Sequence, residues 1–492
     1  MGPNLILKMK NKITLYNVLY LLLAGMLAWG CKSSHLVMED QGNLDLPDSY
    51  TIVADSSGNL AETNWKVFFE DEKLQNLIEI ALENNQEVQK TLENIRIAGA
   101  YLRMAKVGVL PEVNITAGSG VRRFGDYTMD GVGNADTNLS ETVPADKKLP
   151  DPYTDFMLGA EFNWELDVWG RYGSMKRSAA SRWMASQEMA NSVRTWLIAE
   201  VATLYYQMVG LDEEVIILRK NIAYQQTAFD LSKDLKQSGK ENQLAVDQFE
   251  AQLLNSQALL VQKERELRSL EFALKGLLGI YSDGIQRTTL YEVNFSPAVI
   301  ATGVPADLLR YRPDIRRTEN ELAATKADVA IARAAFFPSL RLFGMAGFNA
   351  FDFSKLFLNP GSSVYQLGAG LVAPVFNRNQ IRASFQTAKA EQKIAYLDYE
   401  QTVLKSYLEV LDRVNAYSSL EEQLTLKTNE VMVQRRSVDN ANTMFSVGYA
   451  NYLEVINSQK MALAAELEYV ELRTEQLKNI VMLYKSLGGG WM

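Results

Sequence analysis

The chain is short of the residues from which most active sites are made. Its 492 residues include one cysteine, Cys31, and one histidine, His35. A disulfide framework needs two cysteines, and a zinc or haem site draws on several Cys or His ligands, so neither is available. Thiol, Cys–His and Ser–His–Asp catalysis have at most one copy of their scarce parts. Positive charge is also short. There are 50 Lys+Arg against 59 Asp+Glu, a formal charge of −9, whereas a nucleic-acid surface needs clustered cations. Past Trp29 no stretch approaches the ~20 apolar residues of a spanning helix. Any further membrane crossing must use strands.

What is present begins with a targeting segment. Lys8, Lys10 and Lys12 precede an uncharged run from Ile13 to Trp29, which ends at Gly30-Cys31. A basic region, an apolar region and a small residue read as a secretory signal peptide over 1–30. Cys31, directly after it, reads as the lipidation site of a lipoprotein. Trp29, two positions before the cysteine, is bulkier than the residue usual there. The plainer readings are an ordinary signal peptide with an incidental cysteine, or a short N-terminal membrane helix. Removing 1–30 takes away three lysines and no acids, leaving −9 − 3 = −12.

The remainder repeats itself. AKVGVLPEVNI (105–115) matches ARAAFFPSLRL (332–342), offset by 227. Leu158-Gly159-Ala160 matches Leu367-Gly368-Ala369, SGKENQLAV (238–246) matches VGYANYLEV (447–455), and Leu278-Gly279 matches Leu487-Gly488, all offset by 209. The first copy therefore carries an 18-residue insertion between 111 and 158, within a loop (125–155) that has seven acidic side chains and two lysines.

Each copy reads helix, strand, loop, strand, long helix, tight turn, helix. Strands are expected at about 112–124 and 155–166, then at 339–349 and 364–376. In the second, Phe156, Leu158, Ala160, Phe162, Trp164 and Leu166 face one way, with Met157, Gly159, Glu161, Asn163 and Glu165 opposite. In the fourth, Tyr365, Leu367, Ala369, Leu371, Ala373 and Val375 oppose Gln366, Gly368, Gly370 and Val372. Such alternation suits a lipid-facing strand or a half-buried soluble sheet. From Arg171 to Ser238 and from Gln380 to Val447 there is no proline, which predicts helices of ~100 Å at ~1.5 Å per residue. Heptad spacing of Val403, Tyr407, Val410, Val414, Tyr417 and Leu424, and of Leu453, Ile456, Leu463, Leu467, Val470, Leu477, Val481 and Tyr484, predicts coiled packing. Gly239 and Gly448 mark the hairpin tips. Four strands cannot close a membrane barrel, and an open edge cannot sit in lipid, so a membrane sheet would need strands pooled from several chains.

At this point the sequence resembles the TolC-like outer membrane efflux proteins, in the NodT-type lipoprotein branch. VPADLLRYRPDIRRTENEL (304–322) is the most specific match. AEVATLYYQM (199–208), ELDVWGRYG (165–173), PVFNRNQIRA (374–383) and VGYANYLEVINSQ (447–459) follow the same family, and the likeness spans nearly the whole mature chain.

The resemblance implies a mainly α fold with a four-stranded β contribution. A homotrimer would form a twelve-stranded outer-membrane barrel continued by a long periplasmic coiled-coil α-barrel. It also implies a division into a signal peptide (1–30), an N-terminal belt segment (31–70), a first repeat (71–279, hairpin 171–278), a linker (280–312), a second repeat (313–487, hairpin 380–486) and a tail (488–492). The implied function is passive export of small toxic compounds, without catalysis, cofactor or metal. The implied partners are a periplasmic adaptor, an inner-membrane pump of RND type and outer-membrane lipid, with no nucleic acid.

Carried over by position, Leu453, Glu454 and Asn457 fall at the periplasmic gate. Gly239, Asn242, Gly448 and Asn451 fall at the hairpin tips and adaptor contact. Three copies of Glu454 would make an acidic ring; the plainer reading is a solvated helix-face glutamate. Tyr127, Tyr153, Phe156 and Trp164, with Phe348, Phe351, Phe353 and Tyr365, read equally as aromatic girdles or as packing under loops. The alternatives are a one-step protein-secretion channel, a lipid-anchored coiled-coil scaffold without a pore, and a hydrolase using paired carboxylates. For the hydrolase, no acid–base constellation is recognisable.

Overall fold

The computed structural model describes residues 46–47, 49–50, 58–281, 284–293 and 302–491. Cys31 and the signal segment lie outside the described residues. In order, the principal elements are α1 (Glu72–Asn84), α2 (Gln86–Val107), β1 (Glu112–Arg122), α3 (Met129–Leu139), β2 (Tyr153–Leu166), α4 (Arg171–Gln237) and α5 (Gln243–Leu278). They continue with α6 (Pro313–Ala334), β3 (Ser339–Ala350), β4 (Ser363–Val372), α7 (Gln380–Ser446) and α8 (Tyr452–Leu487).

The duplication holds to the residue in the helices. α2 and α6 are each 22 residues long and begin 313 − 86 = 227 apart. α4 and α7 are each 67 residues long and begin 380 − 171 = 209 apart. α5 and α8 are each 36 residues long, with the same displacement, 452 − 243 = 209. Each 67-residue helix is preceded by a residue in the left-handed region, Gly170 at φ 69° and Asn379 at φ 63°. Glycine enters that region freely and asparagine tolerates it, so one turn serves both copies. In the first copy Asp167 adds a cap, accepting from Tyr172 N at 2.9 Å and Gly173 N at 2.8 Å. Trp169 stacks on Phe337, with centroids 4.7 Å apart, and donates to the Pro338 carbonyl at 2.7 Å. The ELDVWGRYG segment thus joins the sheet to the first long helix.

The four strands form one antiparallel sheet in the order β1-β2-β3-β4. The loop expected over 125–155 contains α3, started by the Thr128 hydroxyl, which accepts from Gly131 N at 3.1 Å. None of its residues is buried, so no apolar periodicity marked it in the sequence.

The heptad positions Val403, Val410, Val414 and Leu424 are buried, as are Leu463, Val470, Leu477, Val481 and Tyr484. Leu453 is not part of that seam. It is half exposed, and Val455 takes the buried place at the tip. Helix α4 crosses α8 so closely that a Cβ on Gly210 would lie 2.1 Å from Thr474 Oγ1.

The main core sits where the N-terminal segment wraps the middle of the long helices. Trp65, Phe69, Leu74 and Ile78 pack there with Leu197, Val201, Tyr205, Tyr206, Leu274 and Tyr484. The AEVATLYYQM segment supplies the paired tyrosines. The Tyr205 hydroxyl donates to Asp71 Oδ2 at 2.6 Å and accepts from Thr288 N at 3.0 Å, tying two outer segments to α4. Arg287 fixes the same belt, binding Asp212 through Nε at 2.6 Å and Glu271 through Nη1 at 2.9 Å.

Candidate functional site: hairpin tips and sheet

Both tips close in the same way. At the first, Gly239 (φ 73°) donates to the Lys236 carbonyl at 3.0 Å, and Lys240 N to the Leu235 carbonyl at 2.9 Å. At the second, Gly448 (φ 83°) donates to the Phe445 carbonyl at 3.1 Å, and Tyr449 N to the Met444 carbonyl at 2.8 Å. This is a Schellman closure, whose left-handed residue favours glycine. A Cβ at either position would meet nothing within 4 Å, so backbone conformation rather than space accounts for these glycines.

The returning helices start differently. Asn242 accepts from Ala245 N at 3.0 Å. Asn451 accepts from Leu453 N at 2.9 Å and Glu454 N at 3.2 Å, and Glu454 Oε2 in turn accepts from Asn451 N at 3.0 Å. That reciprocal pair is a capping box, present at this tip and not at the first, where the equivalent residue is the buried Ala245. The Glu454 carboxylate therefore has a local task at the positive end of a helix.

Leu453, Glu454 and Asn457 share one exposed turn of α8, and Asn457 Nδ2 lies 3.7 Å from Met461 Sδ. The opposite side of that turn is anchored. Val455 packs with Phe229, Val246, Phe249 and Leu253 of the first hairpin and Ala441 of the second. Gly239 and Asn242 lie at the other tip, which the same cluster holds against this one.

At the other end, the register sorts the sheet into two faces. Val113 pairs with Phe162, Ile115 with Ala160 and Ala117 with Leu158. Leu158 pairs with Phe348, Ala160 with Ala346 and Trp164 with Leu342. Leu340 pairs with Leu371 and Ala346 with Tyr365. These residues make one apolar face across all four strands. Ile115 is 81% exposed and Tyr365 88% exposed, so none of the described residues of the chain covers them. The opposite face carries Glu112, Asn114, Thr116, Glu161, Asn163, Glu165, Arg341 and Gln366. There Phe343 lies across Gly368, where an added Cβ would come within 2.4 Å of its ring. Strands of 11, 14, 12 and 10 residues are long enough to cross a bilayer when tilted. Among the described residues no helix is long and apolar enough to do so. β1 and β4 each have one neighbour, so both outer edges are open.

An apolar-out, polar-in sheet continued by ~100 Å helices describes a duct wall rather than a cleft. The model of the outer membrane efflux protein family matches residues 77–280 and 304–489. The chain belongs to that family. The efflux protein is 31% identical to the pyoverdine export outer membrane protein OpmQ of Pseudomonas putida over 432 residues, 88% of this chain and 89% of that one. It is 29% identical to the toluene efflux pump outer membrane protein TtgF of the same species, over 88% of this chain and 86% of that one. A solved membrane protein from Pseudomonas aeruginosa superposes with a TM-score of 0.79 at 26% identity, covering 91% of this chain and 96% of that one. The open-state MtrE channel of Neisseria gonorrhoeae has the same fold, with a TM-score of 0.79 at 22% identity, covering 92% of this chain and 97% of that one. The efflux protein is thus an outer-membrane exit duct of the TolC-like type, and not an enzyme.

The sequence reading missed one joint. Within VPADLLRYRPDIRR, Arg312 is buried and donates to Asp314, to Glu409 Oε2 at 2.8 Å and to the Ser486 carbonyl at 2.7 Å. An arginine beside a proline at a helix start was the available signal.

Proposed function

We propose that three copies of this efflux protein pool their strands into a twelve-stranded barrel and their hairpins into one tube. The observation that carries this reading is the sheet, with its continuous apolar face and two open edges. An unpaired edge costs too much in lipid to persist, so β4 of one copy must meet β1 of the next. A second feature asks for the same neighbour. Ile394, Leu397, Leu404 and Leu408 form an exposed apolar stripe on α7, spaced 3, 7 and 4, apart from the buried seam of Val403 and Val410.

In this assembly the tips at Gly239, Asn242, Gly448 and Asn451 meet a periplasmic adaptor and, through it, an inner-membrane pump of RND type. Leu453, Glu454 and Asn457 line the closing aperture, and Cys31 carries the lipid anchor. The cargo is small compounds toxic to the cell, driven by the pump and passing through the duct without chemistry. Residues 31–70, 280–312 and 488–492 form the belt around the tube, and the two repeats span 71–279 and 313–487.

The test is reconstitution of the purified protein in planar bilayers, with cross-linking in solution. Discrete single-channel currents from a species cross-linking to three chains are expected. A monomer without conductance would sink the duct and leave a coiled scaffold.

A further inference from the structure

A cleft lies between the two loops at the far end of the sheet from the hairpins. It has a volume of about 500 Å³, and Asp146, Lys148, Thr154, Phe156, Asp352 and Lys355 are among the residues that line it. From this cleft we infer a binding site for the phosphate-bearing headgroup of an outer-leaflet lipid, held by Lys148 and Lys355 above the apolar face of the sheet.

Position argues first. Thr154 and Phe156 belong to the same row of β2 as Leu158, Ala160 and Phe162, so the cleft floor continues the lipid-facing surface. Asp155, of opposite parity, is bonded by Asn349 Nδ2 at 2.7 Å on the other face. The cleft stands over β2 and β3, the inner strands, so completing the sheet at its edges leaves it open. Its walls are joined rather than loose. The Thr154 hydroxyl donates to the Phe351 carbonyl at 2.5 Å, and Phe156 meets Phe353 edge-on at 5.4 Å. Phe353, on the wall of the cleft, is 63% exposed, a large apolar surface with no reason to face water.

Charge argues second. Lys355 spends one N–H on the Asp146 carbonyl, at 2.5 Å, and keeps two. Lys148 makes no ion pair among the described residues. Of the two carboxylates, Asp352 is engaged by Ser354 through its N at 2.9 Å and its Oγ at 2.8 Å. Those bonds leave its charge in place, so Asp146 and Asp352 both oppose a phosphate, and the cleft would hold one by direct ammonium contact rather than by net charge. Two ammonium groups above an apolar floor match an anionic headgroup with acyl chains below it.

The inference rests on the apolar face meeting lipid, and the test separates the two. The full-length protein, purified in detergent, is titrated with phosphorylated lipid A, with the same lipid dephosphorylated, and with inorganic phosphate, following the unfolding midpoint. The phosphorylated lipid is expected to raise the midpoint most. Lys148→Glu with Lys355→Glu should weaken that effect about tenfold, roughly one charge-assisted contact, and Asp146→Asn should strengthen it. Equal stabilisation by the dephosphorylated lipid, or an unchanged response of the double variant, overturns the site. An equal response to inorganic phosphate overturns the lipid and leaves an anion site. The planar-bilayer reconstitution is the separate control: a protein that does not insert there overturns the membrane reading of the sheet instead.

Discussion

Arg312 reaches 174 positions along the chain to hold the Ser486 carbonyl at 2.7 Å, in the last turn of the last long helix. The same guanidinium grips Asp314 through two bonds, at 3.0 and 2.7 Å, and Glu409 at 2.8 Å. It therefore joins the start of α6, the middle of α7 and the end of α8. Neighbouring contacts reinforce the joint. Arg316 pairs with the buried Glu188 at 2.7 Å, and Trp491 Nε1 donates to the Tyr311 carbonyl at 2.9 Å. Gly488 completes it, since a Cβ there would lie 2.5 Å from the Tyr311 carbonyl.

Arg312→Ala should be strongly destabilising, by roughly 3–5 kcal/mol, because it strands two partly buried carboxylates and a carbonyl. Arg312→Lys should recover only part of that loss, since an ammonium cannot serve three partners with a planar fork. Thermal unfolding followed by helical circular dichroism measures both. Near-equal midpoints for the wild type and the alanine variant would refute the joint.

The joint also predicts a pH dependence. Burial alone would push the Asp314 carboxyl up, but the bond and charge of Arg312, with the Ile315 N–H, outweigh it and hold the pKa below the usual carboxylate range. The unfolded chain then binds more protons than the folded one in acid. The stabilisation is present above the unfolded value of about 3.9 and is lost as pH falls through the folded value. The gap in unfolding midpoint between wild type and Asp314→Asn should be level from pH 7 to about 5 and narrow below about pH 4. A gap independent of pH would reject the assignment.

Glu454 is a cap, and in the proposed aperture it has a second, separable role as a charge. Glutamine can fill the same place in a capping box, whereas alanine cannot. Glu454→Gln should keep helix stability and lower the cation preference of the channel. Glu454→Ala should lower the cation preference and also the helix stability, with a local loss of about 0.5–1 kcal/mol and larger currents from a frayed tip. Unchanged cation preference in both variants would remove Glu454 from the aperture and leave it as a cap.

Much of this architecture was legible because it is written twice. Four strands, two long hairpins and their tips follow from offsets of 227 and 209 and from a missing proline. What escaped had no period to show it. α3 buries nothing, so only the Thr128 cap marks its start. Leu453 keeps heptad spacing yet faces outward, because the seam ends where the Schellman turn redirects the chain and Val455 packs instead. The capping box was readable as Asn-x-x-Glu at 451–454, but a match to the family's gate drew the same residues toward another role. Arg312 was visible within its motif; its partners, 97 and 174 residues away, were not.

Cys31→Ala should abolish acyl labelling in cells and reduce retention of the protein in the outer-membrane fraction. In the proposed assembly the barrel would still hold mature trimers, so the effect on retention should be partial. Labelling that persists in the variant would exclude Cys31 as the anchor.

The close crossing of α4 and α8 offers a test of packing alone. Gly210 on α4 faces Thr474 on α8, and a Cβ there would lie 2.1 Å from Thr474 Oγ1 and 3.2 Å from its Cβ and Cγ2. That hydroxyl is bonded to the Val470 carbonyl at 2.8 Å, so the threonine cannot turn away without losing a contact. Two effects oppose each other in Gly210→Ala. Helix propensity favours alanine by about 1 kcal/mol, and overpacking costs about 1–3 kcal/mol. The clash should win, for a net loss of about 1 kcal/mol. Thr474→Ala removes Oγ1 and Cγ2 and one exchangeable bond, so alone it should cost little, and it leaves its own Cβ 3.2 Å from the added one. The pair together should be about as stable as Thr474→Ala, because the gain in propensity offsets the one tight contact that remains. A double-mutant cycle on the unfolding midpoint reads this directly. Additive losses would mean that the helices part at this crossing, and that Gly210 is there for a reason other than close approach.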